Sequence, residues 1–276
     1  MKKLAYLNLG CGATFHKEWT NIDFVSNSED VMAYNLIQGI PQPDCSFEVV
    51  YHSHVLEHFP KDKAIDFIKE CYRVLKLNGI IRIAIPDLEQ IVLNYIKYLN
   101  ESLRNITGAE QKYNWTMLEL LDQVVRSNTG GEMIEYIKDT SNNNDSFLLE
   151  RNGNEVKRIM DMFRREENEK SLTSVNYSMC SKLKSIPSRI KNKTIRLLLG
   201  TDYKAYQIGK FRSGGEIHQW MYDRYSLKKL LEDIGFRNVE VKTAFESNIP
   251  DWDKYNLDVI NNAVRKPDSL FMEAIK

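Results

Sequence analysis

Two glycines and one acidic residue near the start of the chain could bind a ligand. Gly10 and Gly12 follow a short apolar segment at residues 4–9, and Asp23 follows a second short segment that we predict to be a strand. Glycine lets a ligand approach the backbone where a side chain would block it. A carboxylate beyond the next strand can accept hydrogen bonds from both hydroxyls of a ribose. A tight turn followed by a surface aspartate would give the same pattern, so both interpretations stay open on this evidence.

His218 is the first candidate for a general base, because histidine is the usual proton acceptor near neutral pH. It follows the glycine pair at 214–215 and precedes Trp220, Tyr222 and Arg224. These three residues are candidate substrate-binding residues, since they could form an aromatic and basic surface against the face of a sugar. Alternatively, Trp220 and Tyr222 only pack this part of the chain onto a sheet.

Two other candidate catalytic residues follow predicted strands. His54 stands at the end of the strand predicted at residues 47–53, and Asp87 stands after the strand predicted at residues 80–85. Asp87 could orient a histidine or bind a hydroxyl. Alternatively, it only caps the helix that begins at Leu88.

The histidine-rich segment after the fourth strand also raises the question of a metal. His54 and His58 would lie on one face of a helix that began early, with Glu57 between them. The order of residues is not the His-Glu-x-x-His of zinc proteases, and we expect no metal. His58 is expected to be polar packing, and His52 a buried histidine with its hydrogen bonds satisfied. The four cysteines contain no Cys-x-x-Cys pair, so they indicate free thiols and no zinc site.

Residue patterning predicts alternating strands and helices. β-Branched and apolar runs predict strands at residues 4–9, 21–24, 31–36, 47–53, 80–85, 236–244 and 269–275. Apolar residues at helical spacing predict helices at 64–75 (ended by Asn78-Gly79), 88–103, 115–125, 154–168 and 226–234 (capped by Ser226). This order is typical of an α/β sheet with parallel strands, whose ligands bind at the carboxyl ends of the strands.

Seven segments together carry a family resemblance: LNLGCG (7–12), NIDF (21–24), YNL (34–36), FEVVYHSHVLEHF (47–59), LKLNGIIRIAIPD (75–87), SLKKLLEDIGF (226–236) and RKPDSLFMEAIK (265–276). In this order they resemble a class I S-adenosylmethionine-dependent methyltransferase. The connection between Gly12 and Asp23 is too short for the usual first helix, so a loop or single turn must replace it. Small bacterial methyltransferases found with polysaccharide biosynthesis share this short form, and the resemblance to them extends to residues 218–225.

The resemblance implies an α/β fold with a Rossmann-like, mostly parallel seven-stranded sheet in the order 3-2-1-4-5-7-6. Residues 1–88 and 216–276 would form the S-adenosylmethionine-binding domain, and residues 89–215 a mostly helical insertion, or lid, over the acceptor site. The turn would pass beneath the methionine part of the cofactor, and Asp23 would bind the ribose. Asn35 and Leu36 would border the adenine, and Ser53 and His54 would border the methyl-donor sulfur. The implied cofactor-binding residues are Leu9, Gly10, Cys11, Gly12, Asp23, Asn35, Leu36, Ser53 and His54.

The implied activity is methyl transfer from S-adenosyl-L-methionine, with S-adenosyl-L-homocysteine as product. The resemblance favours O-methylation of a saccharide or another small hydroxyl compound. N-methylation, or an inactive cofactor-binding scaffold in a biosynthetic complex, remains an alternative. An NAD-dependent dehydrogenase is disfavoured, because its Gly-x-Gly-x-x-Gly motif would need glycine where Phe15 stands.

The composition bears on whether the protein binds nucleic acid or a membrane. The 276 residues include 38 basic and 38 acidic ones, so no basic excess indicates nucleic-acid binding. No apolar run approaches the roughly 20 residues that span a bilayer, and the N-terminus does not resemble a signal peptide, so we expect a cytoplasmic location. The basic segment 182–196 could touch an anionic membrane surface or a phosphate-bearing acceptor, or it could be a solvated surface segment. The sequence indicates no oligomeric state.

Overall fold

The computed structural model describes residues 5–26, 28–139, 141, 143–172 and 194–276. The strands are β1 (Tyr6–Leu9), β2 (Thr20–Asp23), β3 (Val31–Ala33), β4 (Phe47–Ser53), β5 (Leu75–Pro86), β6 (Arg237–Lys242), β7 (Val259–Ile260), β8 (Ala263–Val264) and β9 (Ser269–Ile275). The helices are α1 (Lys61–Val74), α2 (Leu88–Leu103), α3 (Ala109–Val125), α4 (Gly131–Lys138), α5 (Asp145–Leu172), α6 (Tyr203–Arg212) and α7 (Arg224–Ile234). Residues 173–193, which include most of the basic segment and Cys180, lie outside the described residues.

Seven strands form one sheet in the order β3-β2-β1-β4-β5-β9-β6. The pairs among β1 to β5 are parallel, and β9 runs antiparallel to both β5 and β6. This confirms the predicted Rossmann-like order with one reversed strand. The carboxyl ends of β1, β2, β4 and β5 therefore lie along one edge, and β9 begins at that same edge because it runs in the opposite direction.

The two faces of the sheet are covered differently. Leu7 and Leu9 contribute to a core that includes apolar residues of α1 and α7. On the opposite face, Tyr6 packs in an aromatic cluster with Trp19 and Trp252. Residues 10–19, all of them described, contain turns and no helix, which confirms the short connection predicted between β1 and β2.

The end of α1 differs from the prediction. The helix ends at Val74, and Leu75 already pairs with Phe47 as the first residue of β5. The prediction that the helix runs on toward Asn78-Gly79 was therefore wrong. Those two residues lie inside the strand, next to a register shift between β4 and β5. The pairing of Leu75 with β4 outweighs its helical spacing, and tertiary context commonly overrides a local pattern in this way.

The start of α7 also differs from the prediction. Asp223 caps this helix, and its carboxylate accepts a hydrogen bond from the backbone N–H of Ser226 at 2.8 Å. The Ser226 hydroxyl accepts in return from the backbone N–H of Asp223 at 3.0 Å. Ser226 thus occupies position N3 of a capping box and is not the cap itself.

Helices α2 to α5 pack around a separate apolar cluster that includes Tyr98, Trp115 and Phe147. Helix α3 begins at Ala109, earlier than predicted, and the short α4 was not predicted. Helix α5 begins at Asp145 and is interrupted at Gly153, which has a φ of +63°. Among the described residues, no helix has the combination of length and apolar character that crossing a membrane requires.

Candidate active site

The turn after β1 has the backbone that its two glycines predicted. Gly10 has a φ of +62° and Gly12 a φ of +53°, in the left-handed region that favours glycine. A Cβ at Gly10 would lie only 2.3 Å from Val55 Cγ2, whereas a Cβ at Gly12 would meet no described atom within 4 Å. Gly10 is therefore needed for packing, and the absence of a side chain at Gly12 leaves the approach to the backbone open.

Asp23 lies at the carboxyl end of β2, beside this turn. Its Oδ2 accepts a hydrogen bond from the backbone N–H of Gly12 at 2.8 Å, and its Oδ1 accepts one from the N–H of Val25 at 3.2 Å. Its backbone carbonyl accepts from the N–H of Tyr34 at 2.8 Å. The structure therefore brings together the glycine turn and the acidic residue that the sequence singled out.

A cavity of about 370 Å³ opens at the carboxyl edge of the sheet, above this turn. We call it the first cavity, and it is lined in part by the turn itself and by Ser53, His54, Glu155, Arg158 and Arg265. Arg265 donates a hydrogen bond from Nη2 to the Ser53 hydroxyl at 2.8 Å. The volume lies in the range of small-ligand sites, and the wall carries charges of both signs.

The first cavity fits S-adenosylmethionine in its chemistry. That molecule carries a carboxylate, an ammonium, a sulfonium and a polar nucleoside, and the first cavity offers acidic, basic and hydroxyl groups together. The open side of Gly12 allows a ligand to lie directly on the backbone. The residues present are therefore compatible with this cofactor.

Three predicted cofactor residues have other contacts in the structure. The side chains of Leu9 and Leu36 are buried in the apolar core between the sheet and its helices. Asn35 caps the short 3₁₀ helix Leu36–Gln38, and its Oδ1 accepts from the N–H of Ile37 at 3.1 Å. Only backbone atoms of the two leucines are thus free to meet a ligand, and the Asn35 oxygen is already engaged.

A second cavity, of about 300 Å³, adjoins the first. The two share His54, Glu155 and Lys266 in their walls. The second cavity is also lined by residues of α3, α4 and α5, and by His58 and His218. Ligands in the two cavities would therefore meet at this shared wall.

His54 occupies the junction of the two cavities in a constrained conformation. Its φ is +55°, and its side chain is only 12% exposed. Nε2 is 2.8 Å from the Ser269 hydroxyl, and Nδ1 is 3.3 Å from Glu57 Oε1. Burial, followed by the positive charges of Lys266 and Arg265, holds the pKa of His54 well below its ordinary value. The imidazole is therefore neutral at neutral pH.

Glu57, His58 and His218 lie together in the wall of the second cavity. Glu57 is 1% exposed, and burial raises its pKa to about 8. The His58 and His218 rings meet edge to face, with centroids 4.9 Å apart. Burial lowers the pKa of both histidines. His218 thus lies in a cavity wall where a base could reach an acceptor. It contacts His58, which we expected only to contribute polar packing.

Asp87 takes the alternative role that the sequence allowed. It caps α2, and its Oδ1 accepts from the N–H of Gln90 at 3.2 Å. Burial raises the pKa of this carboxyl. Asp87 is not among the described residues that line either cavity, so the structure does not bring it to His54 or His218.

The three candidate substrate-binding residues do not join His218 in its cavity. Trp220 is 42% exposed, with Lys61 Nζ 4.5 Å from its ring centroid. Tyr222 is buried in the core between the sheet and its helices, where burial raises its pKa to about 12. Arg224 is 68% exposed in its side chain and pairs with Glu89 at 2.9 Å. The expected sugar-binding surface is therefore absent from the described arrangement, because Tyr222 points inward and the other two point outward.

His52 departs from its expectation in one respect. It is fully buried as expected, but neither ring nitrogen has a hydrogen-bond partner within the part of the chain that the structure describes. The ring packs against Phe67, with centroids 5.2 Å apart. Burial lowers the pKa of His52 to about 3, so the buried ring is neutral.

Several charged residues of the two cavities were not predicted from the sequence. Arg265, Lys266 and Asp268 immediately precede β9, and Lys266 pairs with Glu155 of α5 at 2.6 Å. A signal was available, because an antiparallel last strand must begin at the edge where the parallel strands end. Polar residues just before that strand are therefore carried to the ligand edge. Glu155 had no such signal, since its position depends on how α5 packs.

Comparison with known proteins found one matching family and several similar solved structures. Residues 24–83 match the family described as a methyltransferase domain, whereas no curated protein matches the chain. A SAM dependent methyltransferase from Archaeoglobus fulgidus has 12% identity and a TM-score of 0.39, over 99% of this chain and 86% of that one. A putative S-adenosylmethionine dependent methyltransferase from Listeria monocytogenes has 12% identity and a TM-score of 0.38, over 99% and 91% of the two chains. The family match covers residues 24–83 of the 276, so this part of the chain is similar to a methyltransferase domain, and the strand order is that of a Rossmann-like sheet.

Proposed function

We propose that the protein methylates a hydroxyl group of a small acceptor, foremost a saccharide, with S-adenosylmethionine as the methyl donor. One observation carries this proposal: the two cavities at the carboxyl edge of the sheet share the side chain of His54. A cofactor in the first cavity and an acceptor in the second would meet beside this imidazole. Methyl transfer requires such a meeting of two ligands, and placement alone supplies much of the rate.

The first cavity would hold the cofactor through residues of several strand ends. The turn at residues 10–12 would lie beneath the methionine part. Asp23 does not line the first cavity, so the ribose would extend past Gly12 toward the Asp23 carboxylate, which Gly12 already orients. Ser53 and His54 would border the sulfur. S-adenosylmethionine would supply a methyl group activated by its positive sulfur and would leave as S-adenosylhomocysteine.

His54 is the proposed proton acceptor, in preference to His218, because it alone of the described histidines lines both cavities. It would take the hydroxyl proton while the acceptor oxygen bonds to the methyl carbon and the carbon–sulfur electron pair returns to sulfur. Its contacts with Ser269 and Glu57 hold the ring in place.

The polar wall of the second cavity supports a hydroxyl-rich acceptor. Gln123, Asn152 and Glu216 line it beside the histidines, and side chains of this kind donate to and accept from sugar hydroxyls. Helices α3 to α5 would cover the acceptor and exclude water, which is the lid role proposed for residues 89–215. The resemblance to methyltransferases found with polysaccharide biosynthesis is a second reason to favour a saccharide.

The test is a screen of purified protein for S-adenosylhomocysteine release with sugars, nucleotide-sugars and amines. We expect release with hydroxyl acceptors, and His54→Asn should lower kcat by roughly 10²–10⁴-fold, the usual contribution of a general base. Asparagine tolerates the positive φ of this position, so the variant should fold and retain its affinity for S-adenosylmethionine.

His16→Asn is the matched control, because His16 lies in the turn region before β2 and lines neither cavity. It should keep full activity. Release with amines alone would replace the proposal by N-methylation. Cofactor binding without release for any acceptor class would replace it by the scaffold role.

A further inference from the structure

The geometry points to a binding site for a divalent transition-metal ion, formed by Glu57, His58 and His218 in the wall of the second cavity. Each of these residues offers one ligand atom, and the three atoms lie within 4.8 Å of one another. From the sequence we considered only His54, Glu57 and His58 as a metal-binding set, and we expected no metal. The sequence could not place His218, which lies 160 residues further along the chain, beside them.

Potential ligand atoms of Glu57 and His218 are buried and have no hydrogen bonds, although Glu57 Oε1 lies 3.3 Å from His54 Nδ1. Neither carboxylate oxygen of Glu57 has a hydrogen bond, and neither does Nδ1 of His218, among the residues with described positions. Both side chains are more than nine-tenths buried. Buried polar groups are normally paired, and each exception needs a physical explanation. A cation bound between these side chains would give the buried groups a partner.

The orientation of His58 also favours metal binding. Its Nδ1 lies 3.1 Å from the backbone carbonyl of Ile217, which can only accept, so Nδ1 carries the hydrogen and donates. Nε2 is then left with a free lone pair. Metal-binding histidines are commonly fixed in this way, through a hydrogen bond from the other ring nitrogen to a carbonyl or carboxylate.

Backbone hydrogen bonds connect the two segments that carry these residues. The carbonyl of Glu57 accepts hydrogen bonds from the backbone N–H of Gln219 at 2.7 Å and of Trp220 at 3.3 Å. On the other side, the N–H of His218 donates to the carbonyl of Gln123 at 2.9 Å. The backbone therefore holds the three side chains in register without help from a ligand.

The donor set indicates the kind of ion. Two imidazoles and one carboxylate suit zinc and its neighbours among the transition metals, whereas Mg²⁺ and Ca²⁺ prefer oxygen ligands alone. Two basic side chains, Lys266 and Arg126, line the second cavity, and each is paired with a carboxylate, Lys266 with Glu155 and Arg126 with Asp122. A set of three protein ligands leaves one coordination position for another group.

That position would face the second cavity, where an acceptor hydroxyl could bind the ion. This role in acceptor binding rests on the proposed function, but the ion site itself does not. His218 would then act as a ligand, and His54 would remain free to accept the proton. His54 is close to the site, since its Nδ1 is 3.3 Å from Glu57 Oε1, but it is not one of the three ligands.

The test uses the full-length protein without a histidine tag, treated with chelator and desalted. Co²⁺ is titrated in and followed by its visible absorption, and Zn²⁺ is then added as competitor. We expect one Co²⁺ per chain and its displacement by Zn²⁺. Glu57→Gln and His218→Gln should each weaken binding by roughly a hundredfold or more, since even residues that only orient ligands cost 10–100-fold. Alkylation of the cysteines should leave the titration unchanged.

Glu216→Gln is the matched control, because Glu216 lines the same cavity but lies outside the cluster. It should bind Co²⁺ like the unaltered protein. Circular dichroism identifies variants that do not fold, and His58→Gln replaces any that fails. Binding that persists in Glu57→Gln, or that is lost equally in Glu216→Gln, would overturn the site. So would the absence of binding to the folded, unaltered protein.

A parallel calorimetric titration with S-adenosylmethionine separates the two proposals. If chelation leaves cofactor affinity unchanged but abolishes acceptor binding, the ion belongs to the acceptor site. If the protein binds Co²⁺ as described but not S-adenosylmethionine, the ion site stands and the proposed function fails.

Discussion

The backbone N–H of Gly12 donates a hydrogen bond to the Asp23 carboxylate across 2.8 Å. This contact joins the carboxyl ends of β1 and β2, eleven residues apart in the chain. It orients the carboxylate at the edge of the sheet before any ligand arrives, and such preorganisation lowers the cost of binding. The two features that the sequence singled out independently are therefore one unit in the folded protein.

The two glycines of the turn should respond differently to alanine. Gly10→Ala combines a positive φ with a Cβ 2.3 Å from Val55 Cγ2, so we expect a loss of about 2–5 kcal/mol in the free energy of unfolding. Gly12→Ala has a similar φ but no such contact, and we expect about 1–2 kcal/mol. Urea denaturation measures both values.

The double variant Gly10→Ala/Val55→Ala tests the cause. Shortening Val55 removes the two Cγ atoms that lie within 3.4 Å of the added Cβ. The double variant should therefore be less destabilised than the sum of the two single variants. Additive losses would show that the contact with Val55 is not the source of the effect.

His52 should make the protein sensitive to acid. Its pKa is lowered from 6.5 to about 3 by burial, so the unfolded chain binds a proton between these values and the folded protein does not. Above pH 6.5 the ring is neutral in both states and costs no stability. As the pH falls from 6.5 toward 3, proton binding by the unfolded chain lowers the free energy of unfolding by up to about 1.4 kcal/mol per pH unit.

The measurement is urea denaturation of the unaltered protein and of His52→Leu at pH 7 and pH 5. Leucine has no titratable group and suits the contact with Phe67. Between these two pH values the unaltered protein should lose about 2 kcal/mol more than the variant. Equal losses would mean that His52 is accessible to protons in the folded state.

Arg82 should be essential for stability, although it lies away from the two cavities. It is fully buried in β5, where Nε donates to Asp258 at 2.7 Å and Nη1 donates to Glu273 at 2.8 Å. Arg82→Met would leave two buried carboxylates without their partner, and breaking such a pair commonly costs about 3–5 kcal/mol. Thermal and urea unfolding measure the loss.

An exposed ion pair provides the contrast. Lys229 pairs with Asp233 on the surface of α7, and Lys229→Met should leave the melting temperature nearly unchanged. Glu273→Gln in the Arg82→Met background should recover part of the stability, because it removes one of the stranded charges. A further loss in that double variant would contradict the explanation.

Much of the fold could be predicted because its signals are local. Apolar runs predicted the strands, the family resemblance implied their order, and the observed sheet confirms that order. The ends of helices and strands were harder to predict, because a residue there can pair with more than one part of the chain. Leu75 fits a helix by its spacing but pairs with Phe47 in the sheet. Similarly, Ser226 is a good helix cap by type, but Asp223 reaches the same backbone groups from the preceding turn.

The candidate site was predictable only where one segment carried the signal. Gly12 lies in the turn after β1 and Asp23 is the last residue of β2, so the topology brings them together. The directions of Trp220 and Tyr222 could not be read, because an exposed and a buried aromatic residue look alike in a sequence. The clustering of His218 with Glu57 depends on packing between segments far apart in the chain, which no local pattern records.

The most direct test of the account is the affinity for S-adenosylmethionine, measured by calorimetry on the unaltered protein, Asp23→Ala and Asp30→Ala. Asp30 is an acidic residue of the same region whose only ion pair among the described residues is with Lys17. We predict that the unaltered protein and Asp30→Ala bind the cofactor alike, and that Asp23→Ala binds it at least roughly tenfold more weakly, because at least one charge-assisted hydrogen bond is lost. Unchanged affinity in a folded Asp23→Ala protein would contradict the placement of the adenosyl group at the turn and Asp23.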